Sequence, residues 1–165
     1  MPKWNNWDNM NRRSNNPNDY NRPQNNYQNK PQIQLPEIKF WNDETRGIIN
    51  QNLFSDTAKE IAEKLNSDSK SNKPTQIRKF YDELLRIRGL IKNEEDFKKQ
   101  LAYIYMIKPK VAYAKGRKLV SDVFYDFINL CINENKIKTL QDFDVFLSLF
   151  EAVIAYYKML NPKED

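Results

Sequence analysis

From residue 55 onward, apolar side chains return every three or four positions and show no sustained alternation, so the pattern is helical throughout. SDTAKEIAEKLN predicts a helix over about 56–66, with Ser55 as N-cap, Ala58, Ile61, Ala62 and Leu65 turned inward, and charges outside. SDSKSNK (67–73) reads as a loop, and Pro74 suits the first turn of the next helix, where its missing N–H costs nothing. That helix, about 74–92, offers Ile77, Phe80, Tyr81, Leu84, Leu85 and Ile91 as a buried stripe. The acids of EEDFKKQLAYIYMI suit the positive end of a helix starting near Glu94, with Phe97, Leu101, Ile104 and Tyr105 facing in. Pro109 should end or kink this helix, because it leaves the Tyr105 carbonyl without an intrahelical donor.

Residues 118–133 repeat the inward spacing with Val120, Val123, Phe124, Phe127, Ile128 and Cys131. Thr139 opens a last helix to about Leu160, with Asp142 three residues on as a capping-box acid. Phe143, Phe146, Leu147, Phe150, Val153, Ile154 and Tyr157 form its core face. Val145, Leu149, Ala152 and Tyr156 form a second apolar face, which calls for central burial or contact with another molecule. The expected fold is all-α: a single bundle of about five helices over 37–165, behind a disordered Asn-rich tail at 1–36. The tail cannot bury enough apolar surface to offset the entropy of ordering it. Ile33, Leu35, Ile38, Phe40 and Trp41 are placed to pin its end onto the domain, and Trp4, Trp7, Tyr20 and Tyr27 could stack on unpaired bases.

Charge changes this picture. The net charge is +5, and Lys3, Arg12, Arg13, Arg22 and Lys30 against Asp8 and Asp19 put +3 of it in residues 1–36. A bundle with only the remaining +2 must bind any polyanion through a patch. The chain has no histidine, which removes the commonest general base at neutral pH and the metal sites built on His with Cys. Its three glycines belong to no phosphate-cradling loop. Cys131 stands alone among apolar neighbours and reads as a buried small residue in a reducing compartment. A carboxylate metal site could draw only on acids such as Asp122, Asp126, Asp142 and Asp144, and such acids more commonly decorate solvated helix faces. The expectation is a binding protein and not an enzyme, without cofactor, small-molecule substrate or membrane span, in the cytoplasm.

Two basic stretches stand out. Arg78, Lys79 and Arg86 lie off the apolar stripe, where Arg78–Asp82, Asp82–Arg86 and Lys79–Glu83 all have the spacing of intrahelical ion pairs. KPKVAYAKGRK (108–118) carries five cations and no acid, so its charges need an anion or acids from elsewhere in the fold.

KPTQIRKFYDEL (73–84), KVAYAKGR (110–117) and FEAVIAYYKML (150–160), in that order on an all-α chain, resemble the small subunit of type III-A CRISPR interference complexes, the Csm family. The resemblance runs from about residue 40 to 161. It implies a non-catalytic prokaryotic subunit of an RNA-guided antiviral complex, stacked in copies beside the backbone and large subunits. Its implied partners are CRISPR RNA and target RNA, and it marks Arg78, Lys79 and Arg117 as RNA contacts. Arg86, Lys108, Lys110, Lys115 and Lys118 join them as candidates on charge. In this reading 108–118 is a helix break anchored by Val111 and Tyr113, with its cations on phosphates. An antiparallel pairing of the 74–92 and 94–107 helices would bring the two stretches together. The alternative is a helical protein-interaction adaptor without nucleic-acid binding.

Overall fold

This computed structural model describes residues 34–43, 45–68 and 70–161. All but residues 34–36 of the expected tail, with its stacking aromatics, lie outside them. Among the described residues the fold is an all-α bundle: α1 Ala58–Asn66, α2 Pro74–Gly89, α3 Glu94–Tyr105, α4 Ile107–Gly116, α5 Asp122–Cys131 and α6 Leu140–Leu160. No strand accompanies them beyond one isolated bridge, Trp41 to Ile49.

The first helix starts earlier than its sequence suggests. A π-helical turn, Leu53–Thr57, runs directly into α1, so Ser55 lies inside a helical segment and caps nothing. Leu53 is fully buried and Phe54 packs on the core, so continuing the helix upstream seals two large apolar side chains. Ala58, Ile61, Ala62 and Leu65 are all buried, as expected.

On α2 the buried stripe is Ile77, Tyr81, Leu84 and Ile87. Phe80 is half-buried and Leu85 is 40% exposed, against expectation. Leu85 sits about 100° around the helix from Leu84, too far to share a narrow stripe. The helix also stops at Gly89, short of residue 92.

The proline acts where its chemistry says. α3 ends at Tyr105, whose carbonyl would have needed the N–H that Pro109 lacks. The segment after it is not a break, however. It is the helix α4, with Pro109 in the first turn, where no intrahelical donor is required. Val111 is fully buried, but Tyr113 is 65% exposed and anchors nothing to the core. The two positions differ by about 200° around the helix, so they cannot face the same way.

α6 lies at the centre. Thr139 and Asp142 form the expected capping box, and Val145 and Leu149 are buried along with the main core face. Ala152 and Tyr156 are partly buried against the same core, so the second apolar face belongs mainly to the interior. Phe150 collects the aromatic packing, with ring centroids at 5.5 Å from Tyr81, 5.5 Å from Phe127 and 5.9 Å from Phe124. Such edge-on and tilted pairs add to the burial itself.

Residues 34–43 and 45–50 form a strap across the N-terminal pole of α6. Ile38 and Phe40 are buried, and Leu35 and Trp41 pack against the core. The Trp41 indole donates to Asp142 Oδ1 at 2.8 Å, and the Arg46 guanidinium holds Oδ2. Oδ2 also accepts from the backbone N–H groups of Lys138 and Thr139, each at 2.9 Å. Asp142 is fully buried, so a carboxylate that sequence marks only as a cap is also the socket for the strap.

Candidate nucleic-acid interface

Asn72 sets one pole of the domain. It is fully buried in the loop before α2. Its amide nitrogen donates to the Leu65 carbonyl at 3.0 Å and to Ser121 Oγ at 2.7 Å, and its Oδ1 accepts the Ser121 N–H at 2.8 Å. The Tyr157 hydroxyl donates to its backbone carbonyl. Ser121 is the N-cap of α5, so this loop ties together the end of α1, the start of α5 and the C-terminal part of α6. At the opposite pole Arg88, near the end of α2, grips Asp144 in the first turns of α6.

These anchors orient the basic elements. The start of α2 lies beside Ser121, a few residues past the end of α4, while Lys110 in the first turn of α4 reaches Glu83 in the second half of α2. α4 therefore runs back antiparallel along α2, toward its start. The expected juxtaposition of the two stretches is present: α3 packs on α2 as expected, and α4 after it lies along α2 in turn.

Within that arrangement the eight candidate cations divide. Lys79 and Arg86 are one heptad apart on α2, about 20° from the same angular position, as are Lys110 and Arg117 along α4. Glu83 Oε1 accepts from Arg86 Nη2 at 3.0 Å and from Lys110 Nζ at 3.1 Å, so both helices turn these side chains to one shared face. Lys115 turns to the other flank, pairing with Asp122 at 2.8 Å and lying 4.4 Å above the Tyr125 ring of α5. Lys108 lies 6.0 Å from the Tyr105 ring. Arg78 pairs with Asp82 at 2.8 Å beside the Tyr81 ring.

The ion pairs differ from those the spacing suggests. Arg78–Asp82 forms, but Glu83 leaves Lys79 and turns to Arg86 and Lys110. Hydrogen bonding from Arg86, then from Lys110, holds the Glu83 carboxyl down at about 2. The bond to Asp122 raises the Lys115 ammonium in the same way. Half of the answer to the acid-free run 108–118 is thus internal: acids from α2 and α5 meet Lys110 and Lys115.

Lys79, Lys108, Arg117 and Lys118 have no carboxylate partner among the described residues. Arg117 stacks 5.7 Å from the exposed Tyr113 ring, its Nη1 donating to the hydroxyl at 3.3 Å. Lys118 has φ +59°, with its own N–H bonded to the Lys115 carbonyl and the next N–H to the Ala114 carbonyl. This is a Schellman-type helix end with lysine where glycine is favoured. Gly116 lies two positions too early to serve it. Sequence reasoning paired Glu83 with Lys79 and missed its bond to Lys110, and it missed Asn72. The missing acids within 108–118 were the one available signal for the former, and a lone Asn in a polar loop gives none for the latter.

Three of the four carboxylates considered as a metal site are engaged elsewhere, and the four form no metal-holding cluster among the described residues. Asp142 holds Trp41 and Arg46, Asp144 holds Arg88, and Asp122 holds Lys115. Cys131 is fully buried, and burial pushes its thiol up and away from reactivity.

A family model described as Csm2 Type III-A matches residues 49–163. The chain belongs to this family. Csm2 is the small subunit of type III-A CRISPR complexes, so the resemblance carried by KPTQIRKFYDEL, KVAYAKGR and FEAVIAYYKML is confirmed. All six helices and all eight candidate cations fall inside the match, whereas most of the strap precedes it. No curated protein and no solved structure matches the chain. Among the described residues no helix is long and apolar enough to cross a membrane.

Proposed function

We propose that this Csm2 chain is a non-catalytic subunit that stacks in copies along the type III-A filament and contacts target RNA through its phosphates. Its partners in this reading are target and CRISPR RNA, the backbone and large Csm subunits, and neighbouring copies, in the cytoplasm of a prokaryote. The observation that carries the reading is the α2–α4 face, where Lys79 and Arg117, with Lys118 beside Arg117 in the chain, have no carboxylate partner among the described residues of a subunit of an RNA-guided complex. Cations left without acids on a folded surface favour an external anion. A complex that accepts any guide must hold RNA without reading bases, and point charges on phosphates meet that demand. Arg86 and Lys110, sharing Glu83, serve as a weaker reserve, since RNA must displace an existing partner.

That same sharing favours the second reading, a protein-interaction adaptor whose cations are balanced internally. A labelled single-stranded RNA titrated at two salt concentrations separates the two. Phosphate binding gives an affinity that falls with salt, at a log–log slope of about −0.7 per neutralised phosphate. An adaptor shows no binding at either salt.

A further inference from the structure

At the strap pole the structure holds a second cationic concavity, a groove of about 420 Å³. Lys39, Phe40, Trp41 and Arg46 of the strap line one side, and Lys136 and Lys138 of the α5–α6 connection line the other. It is remote from the Arg117 end of the α2–α4 face. Asp142, in the first turn of α6, holds Arg46, whereas Tyr157, near the other end, bonds Asn72 beside Ser121 and the end of α4. The groove and the Arg117 region thus lie toward opposite ends of a helix of about 30 Å.

Its cations are not equivalent. Arg46 is occupied by the buried Asp142, and Lys39 pairs with Glu37 at 3.2 Å across an exposed surface. Lys136 is half-buried, yet among the described residues its ammonium meets only the Ile38 carbonyl and the Phe40 ring, 5.5 Å away. Lys138 is exposed and has no side-chain partner among the described residues; only its backbone N–H is used, by Asp142. The carboxylate within the lining, Asp43, accepts the Gly47 N–H at 3.3 Å across its own turn and pairs with neither lysine. Two lysines line a concave, aromatic-walled space, and among the described residues neither pairs with a carboxylate. A partly desolvated ammonium satisfied by a carbonyl and a ring gains further from an anion.

We propose that this groove is an anion site for the phosphate of a nucleotide or of a nucleotide strand, with Lys136 and Lys138 as ligands and the Phe40–Trp41 wall beside the base. The volume falls in the range of small-ligand sites. The inference stands apart from the α2–α4 contact, and most of the strap side lies outside the Csm2 match.

The test uses ¹⁵N-labelled full-length protein followed by amide and indole resonances. The probes are inorganic phosphate, uridine monophosphate, tetrauridylate and a hexaglutamate peptide. The expected result is saturable shifts at Trp41, Arg46, Lys136 and Lys138 with phosphate-bearing probes. Lys138→Glu should weaken them about tenfold, while Arg117→Glu leaves them unchanged. Tighter binding of tetrauridylate than of the monophosphate assigns a strand as the ligand, and the reverse order assigns a free nucleotide. Should Lys138→Glu disturb the spectrum globally, Lys136→Gln replaces it with the same expectation. Absence of shifts at the groove with every phosphate probe overturns the proposal, as does equal binding of hexaglutamate. Loss of these shifts in Arg117→Glu overturns it too, and loss confined to resonances near Arg117 bears only on the α2–α4 reading.

Discussion

Replacing Asn72 with alanine perturbs the joint on which the α2–α4 geometry depends. The amide donates two buried hydrogen bonds, to the Leu65 carbonyl and to Ser121 Oγ, and accepts one from the Ser121 N–H. The Leu65 carbonyl keeps a second donor in the Asp68 N–H. Losing the two donated bonds costs about 1 kcal/mol each, and the Ser121 N–H, buried without an acceptor, adds roughly 1–3 kcal/mol, so the total is about 4 kcal/mol. For a domain of this size that lowers the melting temperature by roughly 8–16 °C. Urea unfolding is the direct assay, with a midpoint that falls and an m-value that holds. Asn72→Asp is the informative companion. It keeps the acceptor for Ser121 but places a carboxylate against the Leu65 carbonyl and Ser121 Oγ, which raises its folded-state pKa. Its extra destabilisation is therefore present at neutral pH and relieved as pH falls through that raised value. A loss below about 1 kcal/mol in Asn72→Ala, at unchanged m-value, would refute the role of this network.

Asp142→Ala should cost about 3 kcal/mol, because it strips a buried acceptor from Trp41, Arg46 and two backbone amides; urea unfolding checks this, and a loss under 1 kcal/mol contradicts the strap's socket. Lys118→Gly should raise stability by up to about 1 kcal/mol by removing a left-handed lysine, seen as a higher melting temperature, while weakening RNA binding. The Glu83 carboxyl is held at about 2 against an ordinary 4.5, so its contribution is complete above 4.5 and is lost as pH falls toward 2. Glu83→Gln should remove that part of the acid sensitivity at a cost of about 1 kcal/mol or less at pH 7, and should raise RNA affinity at low salt by releasing Arg86 and Lys110.

Much of the fold was legible because its signals are local. The capping box at Thr139 and Asp142, the proline at position 74 and the acids at Glu94 each act within one turn, and the structure repeats them. What failed depends on tertiary partners. Leu53 and Phe54 extend a helix upstream only because a core is there to receive them. Pro109 was correctly read as ending α3, but a proline that stops one helix is equally suited to the first turn of another, and sequence alone does not choose. The candidate cations were found by composition, whereas their division was not. Glu83 lies 27 residues from Lys110, and that pairing exists only once α4 folds back along α2.

The central claim is a phosphate contact on the α2–α4 face, and charge reversal at Lys79 and Arg117 in the assembled complex tests it most directly. Neither residue has a carboxylate partner among the described residues, and both are exposed, so the bundle should stay folded. The double variant Lys79→Glu with Arg117→Glu is expected to lower target-RNA affinity by a similar factor for unrelated sequences. Its log–log salt slope should become shallower by about 0.7 for each phosphate no longer neutralised. Wild-type affinity and salt slope, in a complex that assembles with the variant present, would contradict the account.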